Sequence, residues 1–330
     1  MNRRVAVAIV GFRNPDDVSR CLAALANSTQ AGFEVVICEN GGRDAYEAMR
    51  AAAPARLSGG QNVDVILAPG NLGFAGGVKV CIERTPDADA WWILNPDTEP
   101  NPDALSALLR RLSQGDCDAV GCTLLSPDGE VEALGGCWRA WIARAVAIGH
   151  GRPADSPIDA LAVERAQNFL MGASMLVSSR FVEHVGLMRE DYFLYGEEVE
   201  WCLRAIASGM KLGFAPDAQV VHYRGTSTGA GEQIRRQPRL PVYLGERNRM
   251  LLTRDRFGGR LPVAAAAALA LLVLRYPARG AWRQFGYALS GWWAGLLGER
   301  GAPEWVADLQ ASPVAAQISA RGSKLSQYRS

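Results

Sequence analysis

From residue 5 to residue 94, four short apolar runs, at 5–12, 34–38, 63–67 and 90–94, alternate with segments whose apolar residues recur at helical spacing. Val18, Cys21, Leu22 and Leu25 share one face of a helix opened by Asn14-Pro15-Asp16, and Val78, Cys81 and Ile82 line another. Residues 44–53 read as a third helix. Runs this short are strands, and strands alternating with helices predict an α/β fold with a doubly wound, mostly parallel, Rossmann-like sheet and right-handed crossovers. The start, MNRRVAVAIVGF, mimics a short signal peptide, but Arg13-Asn14-Pro15 follows where small residues would mark cleavage, so a first core strand is the better reading. With 330 residues the chain can bury one large core or two unequal ones.

The fourth run stops at Asn95-Pro96-Asp97, because proline cannot extend a strand and restricts the residue before it. Asp97 is thereby held at the carboxyl end of a strand, where open α/β sheets bind ligands; a turn aspartate capping backbone amides fits the same residues. Asn101 and Pro102 are expected to cap and open a helix with Leu105, Leu108, Leu109 and Leu112 on its apolar face. Glycines at 70, 73, 76 and 77 precede a helix start, as backbone approaching a ligand would, or as a simple turn. They follow the third strand and lack Gly-Lys-Ser/Thr, so neither a P-loop nor a first-strand dinucleotide fingerprint is present, which argues against a dehydrogenase.

Beyond residue 115 the rhythm changes. Strands are expected at 118–125, at 169–178 with Gly172 inside, and as two short pieces at 211–215 and 219–222; helices are expected at 181–185 and 197–208. Residues 134–166 show no clear period and read as a binding loop or lid. The helix at 197 opens with Glu197, Glu198 and Glu200. Acids suit a helix N-terminus, and Glu200 with Arg204 makes an ordinary i,i+4 pair. Three acids in four residues after Tyr192-Phe193-Leu194-Tyr195-Gly196 also crowd one carboxyl toward a raised pKa, as a general base requires. His222 ends an apolar strand and, with Asp97, would complete a divalent-metal site whose other ligands come from a diphosphate.

Four segments in order, VAVAIVGFRN, VVICENGG, NLGFAGG with WWILNPDTEPNPDAL, and GASMLVSSRFVEHVGLMREDYFLYGEEVEWCLRAIASGMKLGFAPDAQVVHYRGTS, resemble the family 2 inverting nucleotide-sugar glycosyltransferases of the GT-A fold, in particular their bacterial rhamnosyltransferase-like branch. The resemblance covers about residues 5–228. It implies that Asn95-Pro96-Asp97 is the D-x-D-type motif, with Asp97 and His222 holding Mg²⁺ or Mn²⁺. It implies that Glu39 reads the nucleoside, that Val10, Gly11, Phe12 and Arg13 line the nucleobase pocket, and that Asn71, Gly73, Phe74 and Gly76 complete the donor site. Glu198, or its neighbour Glu197, becomes the catalytic base, and Gly172, Tyr195, Glu200 and Trp201 fall on the acceptor side. The sequence departs from the family pattern with Glu at 39, 198 and 200 where Asp is usual, Asn95 where Asp is common, and Lys79 where Asn is common.

The resemblance further implies a catalytic domain over 1–230, with a nucleotide-binding half (1–115) and a catalytic half (116–230), and a helical, arginine-rich region over 231–330. Between residues 235 and 283 eleven arginines face two acids, an excess hidden in a formal net charge of +1 that gives no case for nucleic acid. Residues 263–274 are wholly apolar, and Trp282, Phe285, Leu289, Trp292, Trp293 and Leu296 follow at helical spacing. Such helices lie on anionic membranes, pack on a catalytic core or join two copies as a homodimer. No uninterrupted apolar run is long enough to span a bilayer. Residues 317–330 read as a polar tail. The seven cysteines show no metal spacing and fit a reducing compartment. The expectation is a cytoplasmic enzyme, peripheral on the inner membrane face, that moves a sugar, rhamnose from its dTDP form on the branch resemblance or else a UDP-sugar, to a saccharide acceptor on a polyprenyl diphosphate. A nucleotidyltransferase would want a basic glycine-rich loop after the first strand, which GFRNPDD does not supply; a non-catalytic scaffold is argued by the Glu-for-Asp changes.

Overall fold

A computed structural model describes residues 3–224, 229 and 231–306. The elements run β1 (Val5–Gly11), α1 (Pro15–Leu25), β2 (Phe33–Glu39), α2 (Arg43–Ala52), β3 (Val63–Leu67), α3 (Gly73–Arg84), β4 (Ala90–Leu94), β5 (Thr98–Pro100), α4 (Ala104–Leu112), β6 (Ala119–Leu125), β7 (Val131–Ala133), β8 (Gly136–Arg139), β9 (Arg144–Ala147), α5 (Ala160–Ala166), β10 (Ser174–Ser178), α6 (Ser179–Val185), α7 (Glu197–Ala207), β11 (Leu212–His222), α8 (Arg239–Phe257), α9 (Leu261–Arg275) and α10 (Trp282–Leu297). The main sheet is ordered β3-β2-β1-β4-β10-β6-β11-β5, with β7 beside β6. Six of its nine strands (β1, β2, β3, β4, β6, β11) point the same way, so the sheet is mostly parallel as expected.

Both faces of the sheet are covered, which is why its first strands read as continuous apolar runs. Along β1, Val5, Val7 and Ile9 join one core layer with Val18 and Leu22 of α1 and Leu105 and Leu108 of α4. Ala6 and Ala8 join the other, with Val78 and Cys81 of α3, Phe181 of α6 and Trp201 of α7. Met250, Leu251 and Leu252 of α8 and Ala264 and Ala268 of α9 belong to that second layer, so the C-terminal helices share the core of the sheet. Gly291 and Gly295 set α10 tightly on α8, since a Cβ at either would lie 2.2 Å from the Tyr243 carbonyl or 2.3 Å from that of Arg247. All seven cysteines are free, and burial pushes the thiols of Cys38 and Cys122 up to about 12, as inert core residues.

Several expected boundaries move. The helix after Asp97 begins at Ala104 with Asp103 as its cap residue, because 98–100 are taken as an edge strand by β11 and Asn101 is held by Gln219. Pro100 is tolerated there because β5 has a free edge. The two short strands expected at 211–222 are one, β11, with an irregularity between Ala215 and Gln219 where Pro216 sits. Gly172 precedes β10 instead of lying inside it. Residues 134–166 hold a β8–β9 hairpin and α5, packed down by buried Trp138 and Val163. The helical stretch Arg239–Arg279 is long and apolar enough to cross a membrane by length and composition, 41 residues with a window of mean hydropathy 1.9, 22% buried. Counting uninterrupted apolar residues missed it, because α8 and α9 join through a short turn. The tail expected at 317–330 lies outside the described residues, as do residues 225–228 of the longest family-like segment.

Candidate active site

The carboxyl ends of β1, β2 and β4 and the turn before β10 meet at one edge of the sheet. Glu39 ends β2 with no exposed surface. Its Oε1 accepts from the backbone amides of Arg13 (2.9 Å) and Gly41 (2.7 Å), while Oε2 is buried without a partner. Burial raises its pKa and the two amides oppose that. The extra methylene relative to Asp fits because two glycines make room: a Cβ at Gly11 would lie 2.6 Å from Oε2, and one at Gly41 2.6 Å from Oε1. Phe12 and Arg13 form the turn above, with Arg13 at φ 56°, its guanidinium 5.4 Å from the Phe12 ring centre and its Nε donating to the Gly41 carbonyl.

The 71–76 loop is tied to the same edge. Asn40 Nδ2 donates to the Gly73 carbonyl (2.8 Å), its Oδ1 accepts from Leu72 N (3.3 Å), and Asn71 Oδ1 accepts from Gly73 N (3.1 Å). Phe74 N donates to the Phe193 carbonyl, and Gly73, at φ +70°, lies so close that a Cβ would sit 2.0 Å from that oxygen. Gly76 leaves room for Leu72, and Gly77 for Val10. Lys79 pairs with Glu190 at 2.8 Å on the surface.

Asp97 is buried just past β4, and Tyr223 N donates to its carbonyl, which ties the turn to the end of β11. His222 Nε2 lies 3.4 Å from Asp97 Oδ1, and its Nδ1 is 3.1 Å from both oxygens of Glu132. Glu132 sits on β7, is 4% exposed and also takes Arg224 Nε at 2.8 Å. Burial alone would lower the His222 pKa; the Asp97 and Glu132 carboxylates outweigh it and raise it to about 9. Burial would raise Glu132, but His222 and Arg224 hold it below the usual value. Among the described residues no group of three or more His, Cys, Asp or Glu is arranged to hold a metal. A pair of protein donors suits Mg²⁺ or Mn²⁺ that takes its remaining ligands from a diphosphate and water. A ligating imidazole gives its far N–H to a carboxylate, the place of Glu132 at Nδ1; at Nε2, which faces Asp97, a metal would have to displace the proton that the raised pKa keeps there at neutral pH.

A short chain of contacts joins this corner to the acids of α7. Asn95 N donates to the Ala173 carbonyl (2.9 Å), and a Cβ on the adjacent Gly172 would lie 3.2 Å from Glu198 Cγ. Glu198 is half-buried, accepts from Gly196 N at 3.1 Å, and lines a cavity of about 280 Å³ together with Trp138, Tyr195, Asn248 and Arg249. Glu197 is 1% exposed and its Oε2 is buried without a partner. Desolvation, then the Glu198 charge, lift its pKa to about 8, and burial raises Glu198 as well. The loop that presents them is strained, with Phe193 at φ 66° and Tyr195 at φ 74°. It is clamped from α8: Asn248 Nδ2 donates to the carbonyls of Tyr192 (2.9 Å), Leu194 (2.8 Å) and Tyr195 (2.7 Å), and Arg247 Nη2 to Tyr192 (2.9 Å).

The structure therefore gathers Glu39, Gly11, Phe12, Arg13, Asn71, Gly73, Phe74, Asn95, Pro96, Asp97, His222, Gly172 and Glu198 around the carboxyl ends of the strands, with Val10 and Gly76 behind them. Tyr195 reaches the cavity. Glu200 and Trp201 do not. Glu200 is 1% exposed and bound by Arg204 at 3.1 Å, because at i,i+4 its carboxylate turns inward to a guanidinium that also holds the Leu187 carbonyl. Trp201 is fully buried, edge-on to Phe181, with its indole N–H on the Gly186 carbonyl. Glu132, Arg247 and Asn248 were not expected from the sequence; the one available signal for Glu132 was a lone acid in the apolar stretch Val131–Ala133.

Comparison with known proteins places the chain in a family and a fold. A family model described as "glycosyltransferase like family 2" matches residues 2–239. An N-acetylglucosaminyl-diphospho-decaprenol L-rhamnosyltransferase of Mycobacterium tuberculosis is 26% identical over 242 residues, 68% of this chain and 77% of that protein. The low-salt glycan biosynthesis hexosyltransferase Agl10 of Haloferax volcanii is 20% identical over 276 residues, 82% of this chain and 81% of that protein. Among solved structures, the mannosyltransferase PcManGT from Pyrobaculum calidifontis, in complex with GDP-Man and Mn²⁺, superposes with a TM-score of 0.56 at 14% identity, covering 90% of this chain and 88% of that one. With more than half of its length matched, the chain belongs to glycosyltransferase family 2, and its fold is of the GT-A type.

Proposed function

We propose that the protein is an inverting, metal-dependent glycosyltransferase that moves a sugar, rhamnose from dTDP-rhamnose in our reading, onto a saccharide carried by a polyprenyl diphosphate, at the cytoplasmic face of a membrane. The observation that carries it is the link through Gly172 and Ala173, which joins Glu198, a carboxylate of raised pKa, to the Asn95 turn that leads to Asp97. Glu39, whose Oε1 holds the Arg13 and Gly41 amides, would shape the nucleoside pocket by fixing the Phe12–Arg13 turn above it. Asp97 and His222 would hold Mg²⁺ or Mn²⁺, which supplies charge neutralisation for the departing diphosphate. Glu198 takes the proton of the acceptor hydroxyl as it attacks the anomeric carbon from the face opposite the nucleotide, so a single displacement inverts the centre. The rhamnosyl donor and the lipid-linked acceptor are supported by the activity that names the mycobacterial relative, and the metal by Mn²⁺ in the PcManGT complex.

The test is a thermal-shift series with UDP, dTDP, GDP and CMP, with and without Mn²⁺, followed by proton NMR of the product formed from the matching nucleotide sugar. A metal-dependent shift with one nucleotide and a product of inverted anomeric configuration is the expected result; at a hundred times its dissociation constant a ligand adds about 2.7 kcal/mol of stability. Release of pyrophosphate from a nucleoside triphosphate would make the protein a nucleotidyltransferase. Nucleotide binding with no turnover of any sugar donor would leave a scaffold.

The membrane part of the reading rests on α9 and α10. Neither helix contains an acid. Val263, Val273 and Leu274 on one, and Trp282, Leu289, Trp293 and Leu297 on the other, are exposed, and Arg275, Arg279 and Arg283 lie between them. An apolar, tryptophan-bearing face rimmed by arginine matches an anionic lipid surface. In co-sedimentation, the protein is expected to bind phosphatidylglycerol vesicles more than phosphatidylcholine vesicles, and Trp282→Ser with Trp293→Ser to lose most of that binding. Equal binding by the double variant, or a concentration-dependent dimer buried on the same face, would sink it.

A further inference from the structure

The cavity that holds Glu198 has a second cluster that the transfer chemistry leaves unused. Glu246, 2% exposed on α8, is paired by Arg144 Nη1 at 3.1 Å and by Arg249 Nη1, and Arg275, at the end of α9, faces the same group. Burial would raise the Glu246 pKa; Arg249, Arg144 and Arg275 hold it below the usual value, so it is ionised. One carboxylate thus meets three guanidinium groups; Glu246, Arg249 and Arg275 line the cavity with Glu198, and Arg144 joins the cluster through Glu246. Arg144 Nη2 is buried without a hydrogen-bond partner. Burial and the Arg249 charge lower Arg144 to about 10, still cationic at neutral pH. A buried, unpaired guanidinium edge is costly in a folded protein and is satisfied by an anion.

Arg275 has a further property. It lines the cavity, and it also lines an open groove with Ile234, Leu271, Leu274 and Arg279. Arg275 therefore stands where the apolar groove adjoins the cavity of the carboxylate base.

We propose that Arg249 and Arg275, with Arg144 joined to them through Glu246, form a subsite for the diphosphate of the acceptor, with the lipid chain leaving past Arg275 along Ile234, Leu271 and Leu274 and the acceptor sugar held toward Glu198. This rests on the reading of the acceptor as a lipid diphosphate. Arginine suits the role because its planar fork makes paired, charge-assisted bonds to phosphate oxygens. The subsite is distinct from the donor diphosphate at Asp97 and needs no metal. The acceptor would be measured from its phosphates, which fixes how many sugar units reach Glu198.

The test is isothermal titration calorimetry of the full chain, in EDTA, with farnesyl diphosphate and with inorganic pyrophosphate. Both are expected to bind, farnesyl diphosphate more tightly. Arg275→Gln, at an exposed helix end where folding is not at stake, is expected to weaken both by about tenfold or more, the loss of a charged hydrogen bond. Its Mn²⁺-dependent nucleotide binding is expected to be unchanged. Asp97→Ala is expected to leave EDTA binding intact. Equal binding by wild type and Arg275→Gln, or loss of binding in Asp97→Ala, would overturn the subsite; equal affinity for the two ligands would overturn its lipid assignment. Failure of every nucleotide to bind would sink the transferase reading while leaving the EDTA titrations to decide this one.

Discussion

Glu198→Gln is expected to reduce sugar transfer by about 10² to 10⁴, the usual contribution of a positioned base, while leaving Mn²⁺-dependent nucleotide binding nearly intact. The substitution keeps the shape that Gly172 accommodates and the contact with Gly196 N, and removes only the ability to take a proton. Glu197→Gln is expected to cost less than about tenfold, because Glu197, lifted to about 8, is mostly protonated at neutral pH and the amide copies its neutral form. The pair titrates together, so kcat/KM should fall as pH drops through a raised carboxylate pKa and lie flat above it. Stability runs the other way. A carboxyl whose pKa rises on folding holds its proton better in the folded state, so stability declines as pH climbs from the ordinary value of 4.5 to about 8. Thermal melts of Glu197→Gln over that range should lose the decline. If Glu197→Gln abolishes transfer and Glu198→Gln does not, the base is Glu197.

The half of the fold made of β1 to β4 was legible because its strands are largely covered on both sides, so they read as mostly apolar runs, broken by Glu34 and Asp64, and the intervening helices show one buried stripe. Legibility failed where a partner remote in sequence decides the outcome. Thr98-Glu99-Pro100 carries a proline and reads as the approach to a helix; only pairing with Val220 and Val221 makes it a strand. The hairpin of β8 and β9 pairs Cys137 with Val146 and Trp138 with Ala145, but its exposed Trp141 and Ile142 erase the alternation that a half-buried ribbon should show. Pro216 split β11 on paper, whereas the sheet absorbs it as an irregularity.

The site followed the same division. Asp97 was singled out because an apolar run ends just before it, and Glu39 because of the family resemblance; the structure puts both at strand ends. Glu132 was missed because its significance is a contact across ninety residues with His222. Asn248 and Arg247 were missed because a helix with inward-facing polar groups has no apolar stripe to betray their direction. Glu200 and Trp201 were misplaced for the opposite reason. A helix turns 100° per residue, so Glu200 lies about 200° round from Glu198 and turns inward to Arg204, while Trp201, one turn on from Glu198, packs in the core against Phe181. The Glu-for-Asp change at 39 has a structural counterpart in Gly11 and Gly41, which leave space for the longer side chain; space made for a carboxylate argues for a retained binding role and against a decayed site.

Asp97→Ala is expected to abolish Mn²⁺-dependent binding of the donor nucleotide and with it transfer, a loss of about 10² or more in affinity measured by titration calorimetry with and without the metal. Two protein donors are too few to bind a divalent ion tightly alone, so losing the only carboxylate of the pair removes the site instead of weakening it. His222 then faces one acid, Glu132, and cannot replace the missing charge. The affinity that remains should equal wild-type binding in EDTA, because the contacts at Glu39 and the 71–76 loop do not involve Asp97. Glu132→Gln makes the comparison informative. It leaves Asp97 and His222 in place and removes only the acceptor at Nδ1, so it should weaken metal-dependent binding by about 10- to 100-fold, the usual effect of losing a ligand's supporting carboxylate. The expected order is Asp97→Ala below Glu132→Gln below wild type in Mn²⁺, with all three equal in EDTA. Wild-type affinity in Mn²⁺ for Asp97→Ala would make the carboxylate a turn cap and leave this family member to neutralise its leaving group without a metal.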